Sequence, residues 1–364
     1  MAAEMRFHAV VGNPPYQSGN DAREGTRSRC VYDRFMDAAE TVSDRVEFIT
    51  PARFLFDAGG TPRAWNRRKL SDPHFRVIRY DADASQVFPG TSIPGGVAVT
   101  MYDGTRTCKP VGTFIPLRTL RAITGKITSA DGFESMDGIV DTSYSYRFTE
   151  RMHQDHPDAA GRLSRGHEHD LTSTVLRRLP DIFHETPPDD GCEYVAIWGR
   201  LHGRRACRHI RSDYVNDPGD LRKWKVLIPK SNGSPPVGTA PTTVIGRPML
   251  AAPMVGHTET FMSLGRFDSR EEAEALLAYV ETKFARTMLG VLKTTQSNHP
   301  GTWRFVPMQD FTPCSDIDWS LPVPMIDREL YGKYHLNRHE RDFIESAVKP
   351  MTDARERRQS NQRI

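Results

Sequence analysis

Apolar and polar positions along the first hundred residues follow two periods. Residues 6 to 12, RFHAVVG, form a short apolar run that predicts a strand buried on both faces, the kind a parallel sheet uses. VEFITPA (46–52), HFRVIRYDA (74–82) and GGVAVTMYD (95–103) predict three more strands. Between the first two, Val31, Phe35, Ala38 and Ala39 stand at helical spacing and predict a helix from about Cys30 to Thr41. Strands alternating with a helix predict an α/β sheet.

The alternation fades after about residue 130. The stretch from Arg151 to Gly191 is polar and rich in His, Asp and Pro, which predicts irregular structure or a hinge. Beyond it EYVAIWG, WKVLIP and TTVIG predict the strands of a second, sheet-containing domain. DSREEAEALLAYVETKFARTMLGVLK (268–293) predicts one long helix, with Asp268 or Ser269 as N-cap and Ala273, Leu276, Leu277, Val280, Phe284 and Met288 on one stripe. NRHERDFIESAV (337–348) predicts a last helix stopped by Pro350, ahead of a charged, frayed tail. The pattern divides the chain into 1–130, 131–315 and a C-terminal helical segment, 316–364.

At 364 residues, two or three domains are expected. Hydrophobic residues make up 38% and charged residues 26%, and no apolar run approaches the roughly 18 residues of a membrane span, so a soluble protein without membrane attachment is expected. The start MAAEMRFHAV lacks the pattern of a signal peptide, which places the expectation in the cytoplasm. Five scattered cysteines, never in a CxxC pair, argue against a disulfide framework and a thiolate zinc site. The histidines of HQDHPDAAGRLSRGHEHD are too irregularly spaced to predict a metal centre. The net charge is only +3, but basic residues recur in RAWNRRK, GRLHGRRACRHIR and DLRKWKVLIPK. A fold that brought such runs together would present a positive surface to phosphates; each run alone serves equally well as a solvated face.

The most informative chemistry follows the first strand. In GNPPYQ, Pro14 and Pro15 fix the backbone and hold Asn13 and Pro14 extended, which makes a rigid loop of outward carbonyls. At the carboxyl end of a strand, such a loop occupies the place where open α/β sheets hold ligands. The Asn13 side-chain oxygen and the Pro14 carbonyl can converge as two acceptors on an NH2 group. The amine of a base is a poor nucleophile because its lone pair is delocalised into the ring; two acceptors holding its hydrogens favour a pyramidal nitrogen. Tyr16 offers a flat face on which an extruded base can stack.

These residues resemble a known family. FHAVVGNPPYQ is similar to the catalytic motif of S-adenosylmethionine-dependent amino-methyltransferases, and in particular of the type IIG-like adenine-N6 DNA methyltransferases of restriction–modification systems, with His8 where the family often has Asp. VEFITPARFLFDAGG and VFPGTSIPGGVAVTMYD resemble later parts of the same domain. KVLIPKSNG, FDSREEAEALLAYVETKFARTMLGVLKTTQ and WRFVPMQDF resemble its target-recognition region, and the segment from Asp316 to Met351 its closing part. The resemblance implies a partial Rossmann-like methyltransferase sheet (1–130) followed by an α+β DNA target-recognition domain (131–315). It implies that Asn13, Pro14, Pro15 and Tyr16 hold the target adenine, and that Lys230, Lys293, Thr295, Gln296 and Arg304 lie on or near a surface facing double-stranded DNA.

The family carries its cofactor on a glycine-rich turn ahead of this motif, and only twelve residues precede Asn13. A permuted order is not found either: GHTETF, SLGRFDS and MLGVLK lack paired glycines opening a helix, and Gly59-Gly60 reads as a turn before Pro62. The expectation is a catalytic half whose partner polypeptide, or missing remainder, supplies the S-adenosylmethionine site. A half-sheet of that kind would leave an unpaired edge and an exposed apolar face. PDDGCEYVAIW has acids but no lysine two places after Glu193, so no nuclease signature is read. Two other readings stay open: a DNA-binding specificity subunit without chemistry, and methylation of a protein glutamine or an RNA amine.

Overall fold

A computed structural model describes residues 7–18, 30–56, 60–233, 236–293 and 296–351. The chain divides into two compact units, Met1–Pro116 and Leu117–Ile364.

The first unit is a mixed sheet with helices. Strand β1 (Val10–Gly12) leads to helix α1 (Tyr32–Val42) and then to β2 (Arg45–Pro51), which runs parallel to β1 and pairs Gly12 with Phe48. A 3-10 turn (Ala52–Phe56) and helix α2 (Arg63–Ser71) precede β3 (Phe75–Asp81) and β4 (Val97–Asp103). The strand order is β1-β2-β4-β3, with β4 antiparallel to both of its neighbours. Along β2, Val46, Phe48 and Thr50 are buried, whereas Arg45 and Glu47 are exposed, so one face of the sheet carries the core. That core joins Met36 and Ala39 of α1, Phe54 of the turn, and Trp65 and Leu70 of α2, with Phe54 edge-on to Trp65 at 5.4 Å. Lys69, 3% exposed, enters the same layer because Glu40 binds its ammonium at 2.6 Å and the rings of Phe75 and Tyr102 lie 5.6 Å from it.

The parallel sheet expected from the apolar runs is therefore a mixed one. β1 is not buried on both faces either: among the described residues it pairs with β2 on one side only, and Val11 is 76% exposed. Phe7 and Ile78 are likewise exposed, the open apolar surface that a partial sheet leaves.

In the second unit, helix α3 (Arg118–Thr128) buries Leu120, Ile123 and Ile127. Short helices α4 (Glu150–Asp155), α5 (Ala159–Arg162) and α6 (Val175–Arg178) follow. Strands β5 (Tyr194–Leu201) and β6 (Arg204–Arg211) form a hairpin that β9 (Val255–His257) extends alongside β5. Its two-residue turn puts His202 and Gly203 at φ +49° and +76°, the left-handed geometry that matches strand twist. A second sheet has the order β10-β7-β8, from β7 (Trp224–Pro229), β8 (Met249–Ala251) and β10 (Phe261–Phe267). Helices α7 (Arg270–Glu281), α8 (Lys283–Gly290), α9 (Val323–Lys333) and α10 (Arg338–Ala347) complete the unit.

Several expectations change here. The boundary falls after Pro116 rather than near residue 130, because the apolar stripe of α3 packs within the second unit, where Lys126 reaches Glu340 of α10 at 2.7 Å. The closing segment is no separate body: α9 and α10 pack on α7 and α8. The polar stretch 151–191 is not a hinge, since Met152, Ala159, Leu163, Val175, Leu179 and Phe183 are all buried in one core with Val195 and Ile197 of β5. TTVIG is no strand; Val244 takes φ +63° and its N–H meets the Thr242 hydroxyl at 3.1 Å. The long helix is two. Ser269 caps α7, and the chain turns extended at Thr282, whose hydroxyl accepts from Ala285 N at 3.0 Å. Asp327 of α9 accepts from Lys283 N and Phe284 N at 3.1 and 2.9 Å, which satisfies the new helix start.

A buried polar cluster ties β7 to β9. Lys225 and Asp220 are both 0% exposed, 3.6 Å apart, and the Tyr146 hydroxyl donates to Asp220 while accepting from Lys225 at 2.9 Å. His257 stands edge-on to Tyr146 at 4.9 Å. Its Nδ1 lies 2.9 Å from the Thr258 carbonyl and so carries the proton, leaving Nε2 buried without a partner. Burial lowers its pKa from 6.5 to about 4. Since the folded value lies below the unfolded one, unfolded chains bind the extra proton between these limits. Stability is full above pH 6.5 and falls by up to about 3 kcal/mol as pH drops toward 4. Urea denaturation across that window should show this loss, and His257→Phe should flatten it. An equally steep acid limb in the variant would assign the loss elsewhere.

Candidate functional site

The loop that follows β1 leaves Asn13 and Pro15 exposed, Pro14 buried and Tyr16 half-buried. Its far end is tied to the start of α1: Val31 N donates to the Tyr16 carbonyl at 3.2 Å, and Gln17 bridges to Cys30. Burial raises the pKa of the Tyr16 phenol, and the neighbouring Asn13 side chain opposes that rise. The two side chains thus sit beside each other, though the contact falls short of an ordinary hydrogen bond. Among the described residues no donor takes the Pro14 carbonyl.

Unpartnered polar atoms gather at this end of the sheet. Among the described residues of the first unit, Tyr16 Oη, Asp33 Oδ1 and Thr50 Oγ1 are buried without a hydrogen-bond partner. Tyr16 lies in the loop, Asp33 in the first turn of α1 and Thr50 at the carboxyl end of β2, so all three are at the carboxyl end of the parallel pair. Sequence alone does not single out Asp33 and Thr50, because a lone acid in a helix and a lone threonine in a strand carry no spacing signal. At Gly12, an added Cβ would meet only the Phe48 ring edge at 3.8 Å, ordinary contact, so the fold itself does not demand glycine there.

A cavity in this unit, about 490 Å³ and lined by residues between Ala82 and Gly95, tests the fit of a nucleoside cofactor. Its one acid does not fit: Asp83 is already engaged by Ser85 N at 3.0 Å, by the Ser85 hydroxyl at 2.7 Å and by Gln86 at 3.3 Å. No aromatic ring lines it. These residues therefore do not make a site for S-adenosylmethionine.

The residues expected to face DNA separate in the second unit. Lys230 and Gln296 come together, lining one open cleft of about 530 Å³ with Arg200, Arg205 and Glu259. A bridge between Ser231 and Ser297 joins their segments, with Asn298 N donating to the Lys230 carbonyl at 2.7 Å. Lys230 stands 4.5 Å over the Tyr144 ring and 3.5 Å from Glu259. Burial would raise the Glu259 pKa, but Tyr144, the Ser173 N–H and Lys230 together hold it low. Arg304 is exposed and stacked 5.0 Å over Phe305, away from that lining. Lys293 is only 5% exposed and burial lowers its pKa, so it is an interior lysine and not a surface one. Thr295 lies outside the described residues. Arg200 and Arg205 were legible only as part of a basic run; the His202-Gly203 turn signal is what could have put them on facing strands.

Residues 1–88, which include the Asn13 loop, match the model of the Eco57I restriction-modification methylase family. This part of the chain is therefore similar to restriction-modification methylases. No curated protein matches. Among solved structures, the type IIG restriction endonuclease BpuSI is similar at a TM-score of 0.30 and 9% identity, over 86% of this chain and 45% of that one. The chain spans less than half the length of that enzyme. Among the described residues, no helix is long and apolar enough to cross a membrane, and no group of His, Cys, Asp or Glu is placed to hold a metal ion.

Proposed function

We propose that the chain is the catalytic and DNA-reading part of a site-specific DNA methyltransferase of a restriction–modification or phage-defence system. The observation that carries this reading is the exposed Asn13 amide, beside Tyr16 and a Pro14 carbonyl that no donor among the described residues takes, at the carboxyl end of a parallel strand pair. Asn13 and Pro14 accept the two hydrogens of adenine N6, Pro15 keeps the loop rigid, and Tyr16 stacks on the extruded base. The three buried polar atoms without partners at this end are what a site awaiting a polar ligand would have. S-adenosylmethionine would supply the methyl group, held by a partner polypeptide that docks beside β1; the open edge and the exposed Val11 support that placement.

The test is incorporation of a labelled methyl group into adenine of plasmid DNA, with and without the product of the adjacent gene. Transfer is expected when the partner is present. Labelled guanine, RNA or protein in place of adenine would redirect the reading, and no transfer in either condition would retire it. A second reading, a DNA-binding specificity subunit, is favoured by the basic cleft of the second unit, which would work without chemistry in the first.

A further inference from the structure

The β5–β6 hairpin treats its arginines in two ways. Arg208 is paired with Glu185 at 2.8 Å and Arg211 with Asp213 at 2.6 Å. Arg200 and Arg205, which line the cleft, are paired with no carboxylate among the described residues. They face each other across the ladder, Arg200 opposite Arg205, a like-charge pair that destabilises the sheet by itself. Burial, followed by the charges of Arg247 and Arg200, lowers the Arg205 pKa. An anion held between them would relieve that repulsion.

The guanidiniums are also aimed. Arg200 donates to the Gly203 carbonyl at 2.6 Å; Arg205 donates to the Arg247 carbonyl at 2.5 Å and lies 5.5 Å over the Phe261 ring. Each keeps further N–H donors of its planar fork for a ligand. The same lining includes Lys230, Ser231, Thr260 and Gln296, while Glu259 is pinned beside Lys230 and would repel a phosphate placed there.

We propose that Arg200 and Arg205 clamp the phosphate backbone of duplex DNA in this cleft, leaving Gln296 and its neighbours toward sugars and base edges. Only the choice of polymer rests on the methyltransferase reading; the unpaired arginine pair stands without it. Phosphate contacts of this kind position a duplex without reading its sequence.

The experiment is the salt dependence of duplex binding by the full chain, followed by fluorescence anisotropy. Neutralising two phosphate contacts should reduce the slope of log K against log salt by about 2, and one contact by about 1. Arg200→Gln/Arg205→Gln is therefore expected to lose about 2 in slope, and Arg205→Gln alone about 1, with no drop in thermal midpoint, because both residues are exposed and removing the like-charge pair relieves its repulsion. Arg328→Gln/Arg338→Gln, on α9 and α10, is the charge-matched control and should keep the wild-type slope. An unchanged slope in the cleft variants, an equal loss in the control, or binding of inorganic phosphate without DNA overturns the proposal. Preference for single strands or RNA overturns the choice of polymer. Arginine-dependent binding with no methyl transfer to any DNA keeps the clamp and discards the methyltransferase reading; methyl transfer with an unchanged slope does the reverse.

Discussion

Asn13→Ala is expected to slow methyl transfer by about a hundred- to a thousandfold, the effect of removing one preorganised polar contact from a reacting group. The side chain is exposed, and it makes no ordinary hydrogen bond to Tyr16, so the folded chain should lose little stability. DNA affinity and its salt dependence should also hold, because the variant leaves Arg200 and Arg205 untouched. The measurement is the single-turnover rate on plasmid DNA in the presence of the adjacent gene's product, beside an anisotropy titration of the same protein. Loss of rate with retained binding supports an acceptor role for the amide. A variant that binds and methylates like the wild type would leave the first unit without its assigned chemistry and favour the specificity-subunit reading.

The largest expected change in stability comes from Asp220→Ala. Lys225 would then keep an ammonium, 0% exposed, with its carboxylate gone, and breaking a buried pair on one side costs about 3–5 kcal/mol. Burial already lowers the Lys225 pKa to about 8, against the pull of Asp220, so part of the response will be loss of the lysine proton. Replacing both members, Asp220→Ala with Lys225→Met, removes the stranded charge and should recover much of the loss. Equilibrium urea unfolding of the two single variants and the double variant measures the coupling. Additive losses would show that the pair does not act as a unit.

How much was legible in the sequence depended on whether a signal was local. The four strands of the first unit were readable because each is an apolar run bounded by turn residues, and the Asn13 loop because two prolines constrain their own backbone. Strand polarity was not readable, since apolar runs do not state direction. β6 was hidden because RRACRHIR lacks apolar alternation; it is a strand by pairing with β5, not by propensity. The break at Thr282 depends on Asp327, which arrives from another helix, so the apolar stripe ran unbroken through it. Residues 151–191 misled for a similar reason: helices of four to six residues each place too few apolar positions to show a period. Lys230 and Gln296 came from resemblance, and only the Ser231–Ser297 bridge makes them neighbours.

The three residues of β1 set a limit on what can be added beside them. An incoming chain would find backbone donors and acceptors over Val10–Gly12 and at Asn13, then two successive residues with no N–H to offer, which disfavours continued pairing along the loop. A strand added there would lengthen the sheet sideways, while the two prolines would work against its running on along the loop past Asn13.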